Sequence, residues 1–313
     1  MPQNSPTAPR WTYLGPAGTF TEAALQSLPG ADAAESVPMA TVPMALDAVR
    51  RGEADGAVVP LENSVEGAVS ITHDELATGE PLMIAREILL PIAFALLVRP
   101  GTKFSDIKTV SSHSHAQPQV RKWLATNLPD AEWTASASNA DAARLVQEGR
   151  YDAALAGEFA AKSYGLVPLV TDIHDVEGAV TRFVFVQRPG GVTPPTGADR
   201  TSVVTYLLDD HPGALLEMLQ EFAVRGVNLS RIESRPTGDG LGHYFFSFDA
   251  EGHVSDARVG EALMGLRRVC AGVRFLGSYP RVDGVRPTIR RGTSDWEFND
   301  AAEWLERSRR GEI

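Results

Sequence analysis

The sequence predicts a mixed α/β chain of two lobes followed by a separate sandwich, and three observations carry that reading. Short apolar runs alternate with helical periodicity from Trp11 to about Val186, the pattern of a parallel-rich sheet covered by helices. The stretch "QRPGGVTPPTGADR" (187–200) holds three prolines and three glycines in fourteen residues and reads as a linker. Beyond it, the element order βαββαβ fits into about eighty residues, the signature of a ferredoxin-like sandwich.

Taken in order, "WTYLG" reads as a strand, "FTEAALQSL" as a helix, "MALDAVRRG" as a helix ended by glycine and "GAVVP" as a strand. "LMIAREILLPIAFALLV" (82–98) is interrupted by Arg86, Glu87 and Pro91, which suits two successive strands crossing between lobes. A second series follows: "TVSSH", "HAQPQVRKWLATN", "AEWTAS", "NADAARLVQEG" and "YDAALAG". The run after Thr181 is expected to return to the first lobe. After the linker, "TSVVTYLL" is a strand and "PGALLEMLQEFAVRG" a helix, with Pro212 in its first turn and Gly226 past its end. "NLSRIESRP" and "HYFFSFDAEG" are strands, the second with Tyr244, Phe246 and Phe248 on one face. "SDARVGEALMGLRRVC" is a helix and "GVRFLGSYP" a closing strand. In the tail, Ser294 and Glu297 form a capping-box pattern, and Phe298, Ala301, Ala302 and Leu305 make an apolar stripe, so a short docking helix is expected.

Composition narrows the function. The 313 residues exceed one comfortable core. A net charge of −11 argues against nucleic acid or an anionic membrane as partner, since either needs a basic surface. Any anionic ligand must then be met locally. The single cysteine, Cys270, fits a reducing compartment. "MPQNSPTAPR" lacks the apolar stretch of a leader, and no apolar run is long enough for a membrane span. A cytoplasmic location is expected.

Four segments place polar residues at strand ends. "YLGPAGTFTEAAL" (13–25) is a strand, a glycine turn and a helix start, with Thr19 and Thr21 as hydroxyl donors; helix polarity there favours an anion. It lacks the third glycine of a dinucleotide fingerprint and the Gly-Lys-Ser/Thr of a phosphate loop. "DGAVVPLENSVEGAV" (55–69) puts Glu62, Asn63 and Ser64 at the C-terminal end of a buried strand, where open α/β sheets bind ligands. The plainer reading is a capping loop. "VSSHSHAQPQVRKWL" (110–124) brings Ser112, His113, Ser114, His115, Gln117 and Gln119 to a strand–helix junction. An H-x-H pair needs further ligands to hold a metal, so no metal site is expected there. In "GAVTRFVFVQ" (178–187), Thr181 and Arg182 are adjacent and point to opposite faces; Arg182 either binds substrate or pairs with Asp172, Asp175 or Glu177.

"GPAGTFTEAA", "VVPLENSVEG", "SHSHAQPQ" and "TRF", followed in order by "GALLEMLQEFAVRGVNLSRIESRP", resemble a prephenate dehydratase with a regulatory ACT domain, over about residues 11–281. The resemblance implies conversion of prephenate to phenylpyruvate with loss of carbon dioxide and water, without metal or organic cofactor. It implies a two-lobed catalytic unit like periplasmic-type binding proteins over residues 10–188, with the second lobe at about 92–178. A linker (189–199), an ACT domain (200–282) and a tail (283–313) follow. Carried over residue by residue, the catalytic set is Thr181, Asn63, Ser112 and Gln119. The substrate-binding set is Thr19, Thr21, Glu62, Ser64, Arg182 and Phe183. Ser114 and His115 stand where proline and glutamine are common in the family.

For the ACT part, the resemblance implies that phenylalanine binds as feedback inhibitor at "GALL" (Gly213, Ala214, Leu215, Leu216) and "ESRP" (Glu233, Ser234, Arg235, Pro236), with Asn228 in the same pocket. It further implies a homo-oligomer, a dimer through the ACT domains and a homotetramer more often. Arogenate dehydration and a non-catalytic carboxylate or amino-acid sensor are the competing readings. A metal-dependent enzyme using His113 and His115 is a third.

Overall fold

The computed structural model describes residues 8–238 and 244–312. The first seven residues of the stretch inspected for a leader, and His243 at the start of a predicted strand, lie outside them. The chain groups into two compact units, one formed by the residues up to Thr72 with Ile88–Gln187, the other by His73–Glu87 with the residues from Arg188 onward.

In chain order the elements of the first part are β1 (Arg10–Leu14), α1 (Phe20–Gln26), β2 (Glu35–Met39), α2 (Val42–Arg50), β3 (Gly56–Asn63), β4 (Gly67–Ala68), α3 (Ser70–Thr78), β5 (Met83–Pro91) and β6 (Phe94–Val98). Then come β7 (Thr109–His113), α4 (Gln117–Asn127), β8 (Glu132–Ser136), α5 (Asn139–Gln147), β9 (Ala153–Ala156), α6 (Ala160–Tyr164), β10 (Val167–Ile173) and β11 (Val180–Gln187). The first sheet runs β2-β1-β3-β11-β5, with β4 paired to β3, and the second β10-β6-β9-β7-β8. β1 pairs in parallel with β2 and β3, and β7 with β8 and β9. β5 and β6 are the expected successive crossing strands, and β11 returns antiparallel to β3 in the first sheet. Ile92, Phe94, Leu96, Val110, Val120, Leu155 and Ile173 form a core of the second lobe. The helix starts follow side-chain chemistry: Thr19, Thr41 and Ser138 each accept the backbone N–H three residues on.

The second unit is built on β12 (Asp199–Tyr206), α7 (Ala214–Ala223), β13 (Leu229–Pro236), β14 (Tyr244–Glu251), α8 (Ala257–Val269) and β15 (Gly272–Pro280), with α9 (Asp295–Arg309) in the tail. Its antiparallel sheet has the order β13-β14-β12-β15. One face carries Val203, Phe246, Phe248 and Ala250 against Met218 and Phe222 of α7 and Val259, Ala262 and Leu266 of α8. Helix α7 begins after Gly213, which adopts φ 99°, so Pro212 precedes the helix instead of occupying its first turn.

The other face of this sheet is buried too, although Ser202, Ser247 and Asp249 are polar. Burying them is tolerable because they bond to one another's neighbours: Asp249 accepts from Ser202 (2.6 Å) and Arg231 (2.9 Å), and Ser202 meets the Tyr279 hydroxyl (2.6 Å). Residues 73–87 are held within this unit. Arg235 grips Asp74 through two hydrogen bonds of 2.8 and 2.7 Å. Arg274 donates to the carbonyls of Leu76 and Gly79, and the Tyr206 hydroxyl donates to that of Ala77. The carbonyls left open at the end of α3 thus find partners. Glu87, also buried, pairs with Arg200 and accepts the N–H of Val282.

Helix α9 has the expected capping box between Ser294 and Glu297. Its docking is limited to its first turn, where Asp295 accepts the N–H of Ala257 (2.8 Å). Ala301, Ala302 and Leu305 of the expected stripe are exposed.

Candidate active site

A cleft of about 1060 Å³ opens within the first unit. Leu14, Met39, Asn63, His113 and Ala137 line it, so it lies at the C-terminal ends of β1, β2, β3, β7 and β8 and at the start of the antiparallel β11. Phe20, Ile71, Ile92, Phe94 and Phe183 supply an apolar wall. This is the place where ligands bind in open α/β sheets, with an apolar body and a few aimed polar groups.

Strand pairing assembles the polar centre. Thr181 lies opposite Asn63 in the β11–β3 register, and Asn63 Nδ2 donates to Thr181 Oγ1 at 2.7 Å. The amide orientation is fixed from its other end, because Asn63 Oδ1 accepts the N–H groups of Val65 (2.8 Å) and Glu66 (3.0 Å). Thr181 therefore receives a hydrogen bond and keeps its own proton to donate elsewhere. Phe183 lines the same wall, two residues along the strand. Arg182, on the opposite face, is buried and outside the cleft lining. Glu62 pairs with Arg182 and Ala68 in the strand register and does not line the cleft. Ser64 lies outside it as well; it extends the ladder, exchanging hydrogen bonds with the backbone of Val180 (2.9 and 3.0 Å).

On the other wall, Gln119 lines the cleft and is 4% exposed. Its Nε2 donates to the His115 carbonyl at 3.1 Å, and its buried Oε1 has no partner among the described residues. An unpaired buried acceptor is costly unless a ligand completes it. His113 and His115 line the same wall with their rings edge to face, centroids 4.8 Å apart. Burial, and then His115, pushes the pKa of His113 below its ordinary value, against the opposing pull of Glu66. Ser112 is not at the cleft; it is fully buried, and its hydroxyl accepts from Trp133 Nε1 at 2.9 Å. Among the described residues, no group of three or more His, Cys, Asp or Glu is placed to hold a metal ion.

Thr19 and Thr21 both line the cleft. The glycine turn before them is more self-contained than an anion cradle: Gly18 donates its N–H to Glu22 Oε2 (2.6 Å), and Tyr13 its hydroxyl to Glu22 Oε1 (2.9 Å). Burial and this carboxylate push the Tyr13 pKa up. Gly18 is required at φ 80°, where an added Cβ would lie 3.0 Å from the Tyr164 ring. The Tyr164 hydroxyl in turn donates to the Ala17 carbonyl (2.7 Å).

Sequence reading missed Glu66, Ser138, Asn139 and Asp141 among the lining residues. Asn139 accepts the N–H of His113 (2.8 Å), and Ser138 caps α5 through the N–H of Asp141 (2.9 Å). The signal was present in "ASNAD" (137–141), a capping sequence just past a strand that pairs with the His-bearing one.

A second pocket, of about 400 Å³, lies in the other unit. It brings together Gly213, Ala214, Leu215 and Leu216 from the start of α7 with Ser234 of β13. Asn228, Glu233, Arg235 and Pro236 are outside its lining; alternation along β13 turns Glu233 and Arg235 to the other face of the sheet. Leu207, Asp210, His211, Tyr244 and Phe246 complete the lining. A hydrogen bond to Glu217 (3.1 Å) and one to the Asp209 carbonyl raise the pKa of His211.

Comparison with known proteins agrees with this layout. Residues 11–190 match the prephenate dehydratase family and residues 202–268 the ACT domain. The prephenate dehydratase of Amycolatopsis methanolica is 50% identical, covering 97% of this chain and 99% of its own length. That of Mycobacterium tuberculosis is 45% identical, over 96% and 94%. The crystal structure of a prephenate dehydratase from Arthrobacter aurescens in complex with L-Phe superposes with a TM-score of 0.92 at 51% identity, over 96% and 99% of the two chains. Two α/β lobes around a polar-ended cleft, followed by a βαββαβ unit, and a relationship that spans nearly the whole length place this chain in the prephenate dehydratase family, in the form that carries an ACT domain.

Proposed function

We propose that the chain converts prephenate to phenylpyruvate, carbon dioxide and water in the cleft, with Thr181 as the donor to the departing ring oxygen. The observation that carries this is the Asn63–Thr181 hydrogen bond, which leaves the threonine proton free to donate. The C–C bond to the ring carboxylate breaks as carbon dioxide forms; its electron pair enters the ring, the C–O bond at the far carbon breaks, and the hydroxide leaves as water with one added proton. Aromatisation supplies the driving force, so the protein has mainly to orient the substrate and stabilise the departing oxygen. Gln119 Oε1, buried and unpaired among the described residues, suits the ring hydroxyl as an acceptor. The reacting carboxylate must lose its charge, so a cleft poor in strong cations avoids stabilising the ground state.

Asn63→Asp tests the proton assignment. A carboxylate at this position would accept from Thr181 and turn its proton away from the substrate. The expected result is a kcat lower by about tenfold to a hundredfold with KM little changed; an unaltered kcat would overturn the arrangement.

L-Phenylalanine is proposed as the effector, bound where Gly213–Leu216, Ser234 and Tyr244 meet. Helix N–H groups suit its carboxylate and Asp210 its ammonium. The Arthrobacter aurescens relative, solved with L-Phe, supports this reading. Inhibition then requires that phenylalanine favour a state with weaker substrate affinity. Edge strand β13, with Ile232 exposed, suits side-by-side pairing with a second copy; a dimer through this unit, assembled into a homotetramer, is the form we propose. A cytoplasmic location is proposed as well: the single cysteine, Cys270, is buried and free, and no helix among the described residues is long and apolar enough to cross a membrane.

The experiment is phenylpyruvate formation from prephenate by chelator-treated protein, with and without phenylalanine. Turnover that phenylalanine suppresses is the expected result. Activity on arogenate but not prephenate would reassign the substrate, and inactivity on both would overturn the catalytic reading.

A further inference from the structure

The proposed substrate carries two carboxylates, yet among the described residues lining the cleft there is no lysine or arginine. The acidic side chains of the lining are Glu66 and Asp141; those able to carry positive charge are His113 and His115. The two imidazoles have different employment. His113 is half-buried, and its Nδ1 accepts the N–H of His115 at 3.3 Å, so in the neutral ring the proton resides on Nε2. Burial favours that neutral form. His115 is exposed on the turn between β7 and α4, and among the described residues neither of its ring nitrogens has a hydrogen-bond partner. Its turn is tied to the site, because its carbonyl accepts from Gln119 Nε2.

We propose that His115 binds the side-chain carboxylate of the substrate, the one that survives the reaction. This rests on the prephenate reading of the cleft. Chemistry selects that carboxylate over the other. A cation on the carboxylate that leaves would stabilise a charge that must disappear, and so would slow the reaction. A cation on the retained carboxylate holds the ground state and the transition state equally, which lowers KM and leaves kcat alone. The other titratable groups of the lining are His113 from β7, whose ring packs on that of His115, Glu66 from the loop after β3 and Asp141 from the first turn of α5. Asp141 is already engaged by Arg144 (2.7 Å).

The test is steady-state kinetics of the full chain on prephenate. His115→Gln removes the charge and is expected to raise KM about tenfold or more, the loss of a hydrogen bond to a charged group, with kcat kept within about twofold. His115→Lys restores a cation and is expected to return KM toward the wild-type value at neutral pH. A His115→Gln enzyme with unchanged KM, or one that loses kcat at unchanged KM, overturns the proposal. Absence of prephenate turnover in the wild type would instead overturn the underlying functional reading.

Discussion

Thr181→Ala is expected to lower kcat by about a hundredfold to a thousandfold while KM stays nearly constant. The threonine hydroxyl is far too weak an acid to give up its proton in the ground state. Its hydrogen bond strengthens only as the C–O bond stretches and charge builds on the leaving oxygen, so its contribution falls on the transition state. Removing one such preorganised donor costs about 2.7–4 kcal/mol in comparable sites. The preorganisation is visible: Asn63 is locked by the N–H groups of Val65 and Glu66 and points its own N–H at Thr181, so no reorganisation accompanies the reaction. Thr181→Val, which keeps the shape, should match the alanine variant. Thr181→Ser, which keeps the hydroxyl, should recover most of the rate. A valine variant with wild-type kcat would remove Thr181 from the chemistry.

The strand and helix alternation was legible because the helices α2 and α5 bury one face while central strands such as β6, β9 and β11 are buried on both, so helical periodicity alternates with short continuous apolar runs. That Thr181 and Asn63 line the cleft has a related reason, since polar residues at strand ends contrast with the apolar strands that carry them, while Gln119 reaches it from the first turn of α4. Ser112 and Arg182 share that contrast but are buried away from the cleft, because neighbouring strand residues face opposite ways and a motif does not state which face is which. β2 went unread; "ESVPM" is short and half-polar, and it is a strand by virtue of its pairing with β1. The second face of the C-terminal sheet was hidden for the opposite reason. Ser202, Ser247 and Asp249 look like a solvated face, and only tertiary partners such as Arg231 and Tyr279 make their burial tolerable. The grouping of 73–87 with this unit depends on Arg235, Arg274 and Tyr206, between 129 and 198 residues away along the chain, and local pattern carries no trace of it.

That packing makes Gly277→Ala the variant with the largest expected loss of stability. Gly277 in β15 has φ 137°, and a Cβ built on it would lie 2.2 Å from the carbonyl oxygen of Ile84 in β5. The obstacle is backbone, so no side-chain rotation relieves it. Two costs add: a non-glycine residue in this region of backbone space costs about 1–3 kcal/mol, and forcing an extra carbon into a close-packed contact costs about 1–3 kcal/mol more. The variant should therefore lose roughly 2–6 kcal/mol, read as a lower denaturation midpoint. The glycine also explains the register: pairing slips between Ser202 and Val203 opposite this position, and such a bulge bends a strand locally. Relief can come only by moving residues 83–87 off the strand, which would strain the Glu87 contacts to Arg200 and Val282. Hydrogen exchange in the variant should accordingly rise first in residues 73–87, ahead of α7 and α8, which pack on the opposite face of the sheet. A variant as stable as the wild type, with the same exchange, would show that the 73–87 segment is not held by this close approach.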